Sequence, residues 1–231
     1  MRTIGISIGG SILSTREGYN IEFAKKFATL LSGYKDYKFV VVAGGGQLAR
    51  DYIKLTGTLV NDAFLLDEIG TTVTRLNAIM LKNVFKKGEV YPSIPRTLDE
   101  VKAAHSISKI VVLGGLMEGI TTDTVTVLAC EAVGADTMLN ISKEAFVYDR
   151  DPKEPNAKKL PRLTYEQMLA IASKYDTRGP GTNFIFDVIA TGMARRSGMK
   201  VLFTDNDVEH IKQAIEGKAH YGSMMGPDGK G

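Results

Sequence analysis

The sequence predicts an α/β fold: a three-layer α/β/α sandwich around a central, mostly parallel sheet. Short runs rich in β-branched residues alternate along the chain with amphipathic stretches of helix length, the pattern of strands joined by crossover helices. Most of these runs are apolar at consecutive positions, as strands covered on both faces are. Glycine-rich turns follow three of them, at the sheet edge where open α/β folds bind ligands.

Thr3–Ile8 is the first expected strand, and Ile8-Gly-Gly-Ser11 is its turn. Ile21–Leu31 has the apolar spacing of a helix; Lys38–Ala43 is the second strand and runs into Gly44-Gly-Gly46. Gln47–Leu55, Asp67–Phe85 and Leu98–His105 follow as helices. The third of these opens Leu98-Asp-Glu-Val101, with acid in the first turn to favour the helix dipole. Lys109–Leu113, a third strand, ends at Gly114-Gly115; Thr122–Val133 is a helix and Thr137–Asn140 a fourth strand. The charged, proline-bearing segment Asp149–Arg162 reads as an exposed excursion dividing two halves of one continuous sheet. Beyond it lie helices at Thr164–Lys174, Asp187–Arg196 and Asp207–Ile215, and a last strand at Lys200–Phe203. Thr164-Tyr-Glu-Gln167 has the form of a helix start, and Gly222 to Gly231 that of a fraying tail.

The length of 231 residues suits one large domain or two small ones, and the reading is a single domain over 1–231. A hydrophobic share of 44% supplies a sizeable core. A net charge of +3 without a basic block argues against nucleic acid or a membrane surface as partner. One cysteine, Cys130, excludes an intrachain disulfide and a multi-cysteine zinc site, and its apolar surroundings suit a small buried hydrophobe. No stretch reaches membrane-span length and no leader pattern opens the chain, so it reads as cytoplasmic.

A glycine turn between strand and helix brings backbone N–H groups against an anion, with the helix N-terminus adding positive potential. Three such turns suggest a site for several phosphates, those of a donor and an acceptor nucleotide. No GxxxxGK[ST], no GxGxxG opening a helix and no GxSxG occurs. His105, His210 and His220 are isolated, without the spacing of metal ligands, and read as surface or helix-end histidines.

The order of motifs resembles the amino acid kinase superfamily, and within it the uridylate (UMP) kinases of archaeal type. The residues that carry the resemblance are Ile8-Gly-Gly-Ser11, Gly44-Gly-Gly-Gln-Leu-Ala-Arg50, Asp67-Glu-Ile-Gly70 with Thr74-Arg-Leu-Asn-Ala78, Gly114-Gly115 with Thr121-Thr-Asp123, and Tyr148-Asp-Arg-Asp-Pro152. The resemblance implies a mostly parallel sheet between helical layers, with the acceptor in an N-terminal part of about 1–140 and ATP in a C-terminal part of about 141–231. It implies transfer of the γ-phosphoryl group of Mg·ATP to UMP, Mg²⁺ arriving with the ATP, and a homo-oligomer, a hexamer. Carried over position by position, Arg50 and Asp123 are catalytic. Gly10, Ser11, Gly46, Arg50, Ser142, Lys143, Tyr148 and Asp151 bind ATP, and Gly45, Asp67, Leu116, Gly119, Thr121 and Thr122 bind UMP. Asp187 matches an aspartate near the nucleotide, and no protein metal ligands are expected.

Taken singly, these residues have plainer readings. Arg50 also fits a solvated helix arginine, Asp67 a helix N-terminal acid, Thr121 or Thr122 a cap, and Asp151-Pro152 a turn. The chain departs from the family at Ser7, where many members have lysine, and at Leu116, where they have threonine. It departs again at Met117-Glu118-Gly119 and Ile120, and at Ala145-Phe146, where they have Asp-Gly. The alternatives are a sister small-acceptor kinase, such as an isopentenyl phosphate kinase, and a non-catalytic nucleotide-binding homologue. The first is disfavoured because no histidine follows the glycines of the second loop.

Overall fold

The computed structural model describes residues 1–175, 186–218 and 221–227. β1 (Arg2–Ile8) turns into a short helix, α1 (Gly10–Leu13), and a small hairpin of β2 (Ser14–Thr15) and β3 (Gly18–Tyr19). α2 (Ile21–Gly33), capped by the Asn20 side chain, leads to β4 (Tyr37–Ala43). Then come α3 (Gly46–Thr56), α4 (Ala63–Lys82), α5 (Leu98–Ile107) and β5 (Ile110–Leu113). α6 (Thr122–Val133) crosses to β6 (Thr137–Ile141), and a hairpin follows, β7 (Val147–Tyr148) with β8 (Lys159–Leu160). β9 (Arg162–Leu163), α7 (Tyr165–Tyr175), α8 (Val188–Ser197), β10 (Lys200–Thr204), α9 (Val208–Glu216) and β11 (Met224–Met225) complete the chain.

The main sheet has the order β5-β4-β1-β6-β10-β11-β9. Its first five strands are parallel, and β11 joins β10 antiparallel with β9 parallel to β11. From β1 the chain steps outward through β4 to β5, then returns past β1 to β6 and β10 on the other side. The junction of β1 and β6 is therefore the topological switch point, where the crevice of an open α/β sheet forms.

Both faces of the sheet are covered. Isoleucines 4, 6 and 8 of β1 share one cluster with Phe39, Val41 and side chains of α1, α2, α4 and α9. On the opposite face Val40 and Val42 meet α5 and α6, while Met138, Val201 and Phe203 meet α6, α7 and α8. The expected sandwich with a mostly parallel sheet is the fold observed.

Several boundaries differ from the sequence reading. α4 starts at Ala63, capped by the Asp62 carboxylate through the N–H groups of Phe64 and Leu65, and it ends at Lys82. Asp67 thus lies inside the helix and not at its start. The excursion at Asp149–Arg162 is exposed over Arg150–Asn156, but its later part is ordered, β8 pairing with β7 and β9 with β11. Thr164 does open α7: it accepts the Gln167 N–H while the Gln167 side chain takes the Thr164 N–H, a reciprocal capping box. His105 and His210 lie in the terminal turns of α5 and α9, hydrogen-bonded to Thr3 and Asp205; His220 lies outside the described residues.

One glycine inside β1 sets the seat of α6. A Cβ on Gly5 would collide with the Cys130 sulfur and come within 3.4 Å of Thr126 Cγ2. Without it, α6 lies low across β1, and its stripe of Asp123, Thr126 and Cys130 runs along that strand. Cys130 is buried, as expected, and burial pushes its thiol up to about 12.

Candidate active site

Gly5 and Ser7 point to the same face of β1, so the helix that rests on Gly5 brings its N-terminus over Ser7. There the Ser7 hydroxyl donates to Asp123 Oδ1 at 2.7 Å. Asn140, paired with Ser7 in the β1–β6 register, donates its amide to the same oxygen at 2.8 Å. Asp123 therefore stands on the β1–β6 junction, at the carboxyl ends of the strands. The fold is packed densely about this carboxyl, although its residue keeps some surface open. Burial pushes it up to about 7, helped by the nearby Asp187 carboxylate and opposed by the Ser7 hydrogen bond.

Asp187 has a different setting. It is 1% exposed and caps α8 through the Ala190 N–H. Its oxygens also accept from the hydroxyls of Thr121 and Thr124. Thr121 in turn caps α6, accepting the N–H groups of Asp123 and Thr124. Asp187 thus locks the start of α6 to the start of α8. Thr122 opens α6 beside this lock, its carbonyl accepting from Thr126.

The first two glycine loops meet backbone to backbone. A Cβ on Gly44 would lie 2.5 Å from the Gly10 nitrogen, and one on Gly10 would lie 2.6 Å from the Gly45 nitrogen. Gly46 has φ +68, the left-handed conformation that opens α3, and it faces the Gly10 carbonyl. Consecutive side chains are absent here first because the two loops occupy each other's space. Asn77 of α4 fastens the arrangement, its amide donating to the carbonyls of Gly44 at 2.8 Å and Gly45 at 3.0 Å. The starts of α1 and α3, neither capped by the side chain of its N-cap residue, lie against each other here.

α4 also holds the third glycine turn. Arg75 donates to the carbonyls of Gly115 at 2.9 Å and Leu116 at 3.0 Å, and Thr74 accepts the Gly115 N–H. The Leu116 side chain packs against the apolar cluster of Val42, Leu113 and Val125. Further on, Gly119 has φ +78 and donates its N–H to Asp67 Oδ2 at 3.1 Å. Asp67 Oδ1 has no hydrogen-bond partner among the described residues. α4 thus positions the second glycine turn through Asn77, and the third turn with the segment after it through Arg75 and Asp67.

Arg50 lies on the first turns of α3, its guanidinium donating to Gln47 at 3.0 Å. Ser142 adjoins the first loop: Gly9 donates its N–H to the Ile141 carbonyl at 2.8 Å, and the Ser142 hydroxyl donates to the Glu144 carbonyl. Lys143 is exposed beside it. Tyr148 pairs with Lys159 across the β7–β8 hairpin, and Asp151 Oδ1 accepts the Lys153 N–H at 2.9 Å in an Asx turn. The last two lie in the hairpin region and not in the β1–β6 junction.

Ser7, Asn140, Arg75 and Asn77 were given no role in the sequence reading, although each is near a quoted motif. The Asn77 and Arg75 spacing on a helix is visible in Thr74-Arg-Leu-Asn-Ala78, but their targets lie on distant turns. A cluster around the departure Ala145-Phe146 also emerges only in three dimensions. Phe146 meets Tyr221 edge-on at 5.0 Å, Tyr221 stacks on His210 at 4.6 Å, and the Lys159 ammonium lies over Phe146.

A family model described as the amino acid kinase family matches residues 2–205. The chain is similar to a uridylate kinase of Thermoplasma volcanium, 36% identical over 217 residues covering 94% of each chain. It is also similar to the uridylate kinase of Methanothermobacter thermautotrophicus, 36% identical, covering 93% of this chain and 96% of that one. The crystal structure of uridylate kinase from Archaeoglobus fulgidus superposes with a TM-score of 0.83 at 32% identity, covering 97% of this chain and all of the other. A UMP kinase structure from Bacillus anthracis, at 20% identity and a TM-score of 0.78, shares the fold.

Proposed function

The chain belongs to the amino acid kinase family, and from that premise we propose that it transfers the γ-phosphoryl group of Mg·ATP to UMP, giving UDP and ADP. The observation that carries this reading is the meeting of two glycine loops beside Asp123 at the switch point, in a chain whose relatives are uridylate kinases. A UMP phosphate oxygen forms a bond to the γ-phosphorus while the bond to the ADP oxygen breaks, and a phosphate dianion needs no general base for this. Such a transfer asks the protein for in-line positioning and charge stabilisation. Amides held rigid where the loops meet suit it, since they need no reorganisation as charge develops.

In this reading Gly10, Ser11 and Gly46 border the transferring phosphoryl, and Arg50 adds a guanidinium suited to phosphate. Ser142, Lys143, Tyr148 and Asp151 face the donor nucleotide in the C-terminal part. Gly45, Leu116, Gly119, Thr121 and Thr122 border the acceptor, with Asp67 Oδ1 left for its ribose hydroxyls. Among the described residues no group of three or more His, Cys, Asp and Glu side chains is placed to hold a metal ion. Mg²⁺ enters this reaction as part of the substrate Mg·ATP.

We place the reaction in the cytoplasm; no described helix is long and apolar enough to cross a membrane. We also propose self-association through α3, α4 and the loop joining them, whose outer surface exposes Tyr52, Leu55, Leu59, Phe64, Ile79 and Met80. The deciding experiment is ADP release from Mg·ATP with UMP, CMP, dUMP and isopentenyl phosphate offered separately. Turnover with UMP is expected. Turnover confined to another acceptor reassigns Asp67, and none with any acceptor from folded protein removes the reading.

A further inference from the structure

The two carboxylates at the start of α6 are hydrogen-bonded in unlike ways. Asp187 is buried and takes donors on both oxygens: Ala190 N–H and the Thr124 hydroxyl on Oδ1, the Thr121 and Thr124 hydroxyls on Oδ2. That is the surrounding of an ionised carboxylate. Asp123 takes both of its donors, Ser7 and Asn140, on Oδ1 alone. Its Oδ2 has no hydrogen-bond partner among the described residues, and the residue is partly exposed. A carboxylic acid has this shape: one carbonyl oxygen that accepts twice, and one hydroxyl that must find an acceptor.

We propose that Asp123 meets the substrate as its neutral acid, held by Ser7 and Asn140 so that Oδ2–H donates a hydrogen bond to a substrate phosphate oxygen. Ser7 and Asn140 are its positioning residues. The inference rests on the phosphotransferase reading of this site. An ionised carboxylate would repel the phosphates that the glycine loops receive, whereas the acid form contributes a donor aimed at them. The proton stays on Oδ2 throughout, so the phosphoryl transfer balances as already written.

The charges around Asp123 agree with this division. No ion pair to Asp123 or Asp187 is found among the described residues. α8 presents Asp187, whose negative charge disfavours a second one nearby. The charged groups of the other elements packed on α6 are engaged elsewhere. In α5, Asp99 pairs with Lys102, Glu100 with the Arg96 N–H and His105 with Thr3. Arg2 of β1 and Lys38 of β4 are bound at the opposite ends of their strands, to Thr137 and the His105 carbonyl. Arg196 of α8 pairs with Glu131 near the other end of α6, and Arg195 with Glu166. β6 carries no charge. Burial and Asp187 together push Asp123 up to about 7, so the acid form is populated near neutrality and lost as pH rises beyond it.

Infrared difference spectra of the free full-length protein test the proton directly. A protonated-carboxyl band at neutral pH is expected, lost on raising the pH and missing from Asp123→Asn. Steady-state kinetics then test its use. Wild type should show a bell: an acid limb from the UMP phosphate at about pH 6 and an alkaline limb from Asp123. Asp123→Asn, whose amide still donates, should lose activity only several-fold and lose the alkaline limb. Asp123→Ala should fall about ten- to a hundredfold. Ser7→Ala removes a donor that favours the charged form, so its alkaline limb moves to higher pH while kcat falls, and Ser7→Thr should restore both. A merely structural Ser7 would not move the limb. A carboxyl already ionised well below neutrality, or an Asn variant as inactive as the Ala variant, overturns the proposal. A band present in protein that turns over no phosphate acceptor overturns the kinase reading instead.

Discussion

Gly5 of β1 and Cys130 of α6 fit against each other with no room for a methyl group between them. The contact sets how low α6 rides on the sheet, and hence whether Asp123 reaches Ser7 and Asn140. Gly5→Ala should destabilise the protein by about 1–3 kcal/mol through overpacking and depress activity with it. Gly5→Ala combined with Cys130→Ala should recover most of the loss in a denaturant melt. Strictly additive losses in the double variant would show that the two residues do not share this constraint.

The strands that carry the site could be read because their apolar runs are continuous, and the glycine turns because they follow those runs. β9 and β11 could not be read: two residues show no periodicity, and β9 has its place only through β11, as β11 has its own through β10. The same divide runs through the site. Asp123 is visible in Thr121-Thr-Asp123, but its partners sit on two strands whose register no local spacing encodes. Ser7 stood out only as a departure, and the structure gives it a partner. Asp67 was legible as a residue but its alternative as a helix-start acid was not resolvable until Asp62 proved to be the cap. Sequence alone presents the triple glycine as a phosphate-binding turn, whereas the first thing packed against it is the other loop.

Asn77 is the donor that joins α4 to the second glycine loop. Asn77→Leu fills a similar volume but leaves the buried carbonyls of Gly44 and Gly45 without this amide. The loss should be about 1–3 kcal/mol, accompanied by reduced kcat as the loop loosens. Full stability with unchanged kcat would remove α4 from the positioning of the loops.

Asp67 offers a cleaner separation of binding from chemistry. Its Oδ2 fixes Gly119 and its Oδ1 is left for the acceptor ribose, both remote from the transferring phosphoryl in the proposed reaction. Asp67→Ala should raise KM for UMP by roughly tenfold or more, the value of a hydrogen bond to a charged group, with kcat and KM for ATP little changed. A fall in kcat at unchanged KM would place Asp67 in the chemical step.

At the carboxyl end of β10 the Thr204 hydroxyl is buried without a hydrogen-bond partner among the described residues, and the residue is 0% exposed. It is paired with Ile141 and so points to the α2 and α9 face, away from the face of Ser7 and Asn140. A buried hydroxyl with nothing to bond costs stability that a methyl of the same shape does not. Thr204→Val should therefore be neutral or stabilising by up to about 1 kcal/mol, with KM for ATP and for UMP unaltered. A destabilised variant would mean the hydroxyl is satisfied in solution, and a raised KM for ATP at full stability would mean its partner is the donor nucleotide. The sheet end beyond β6 would then belong to the site as well as to the core.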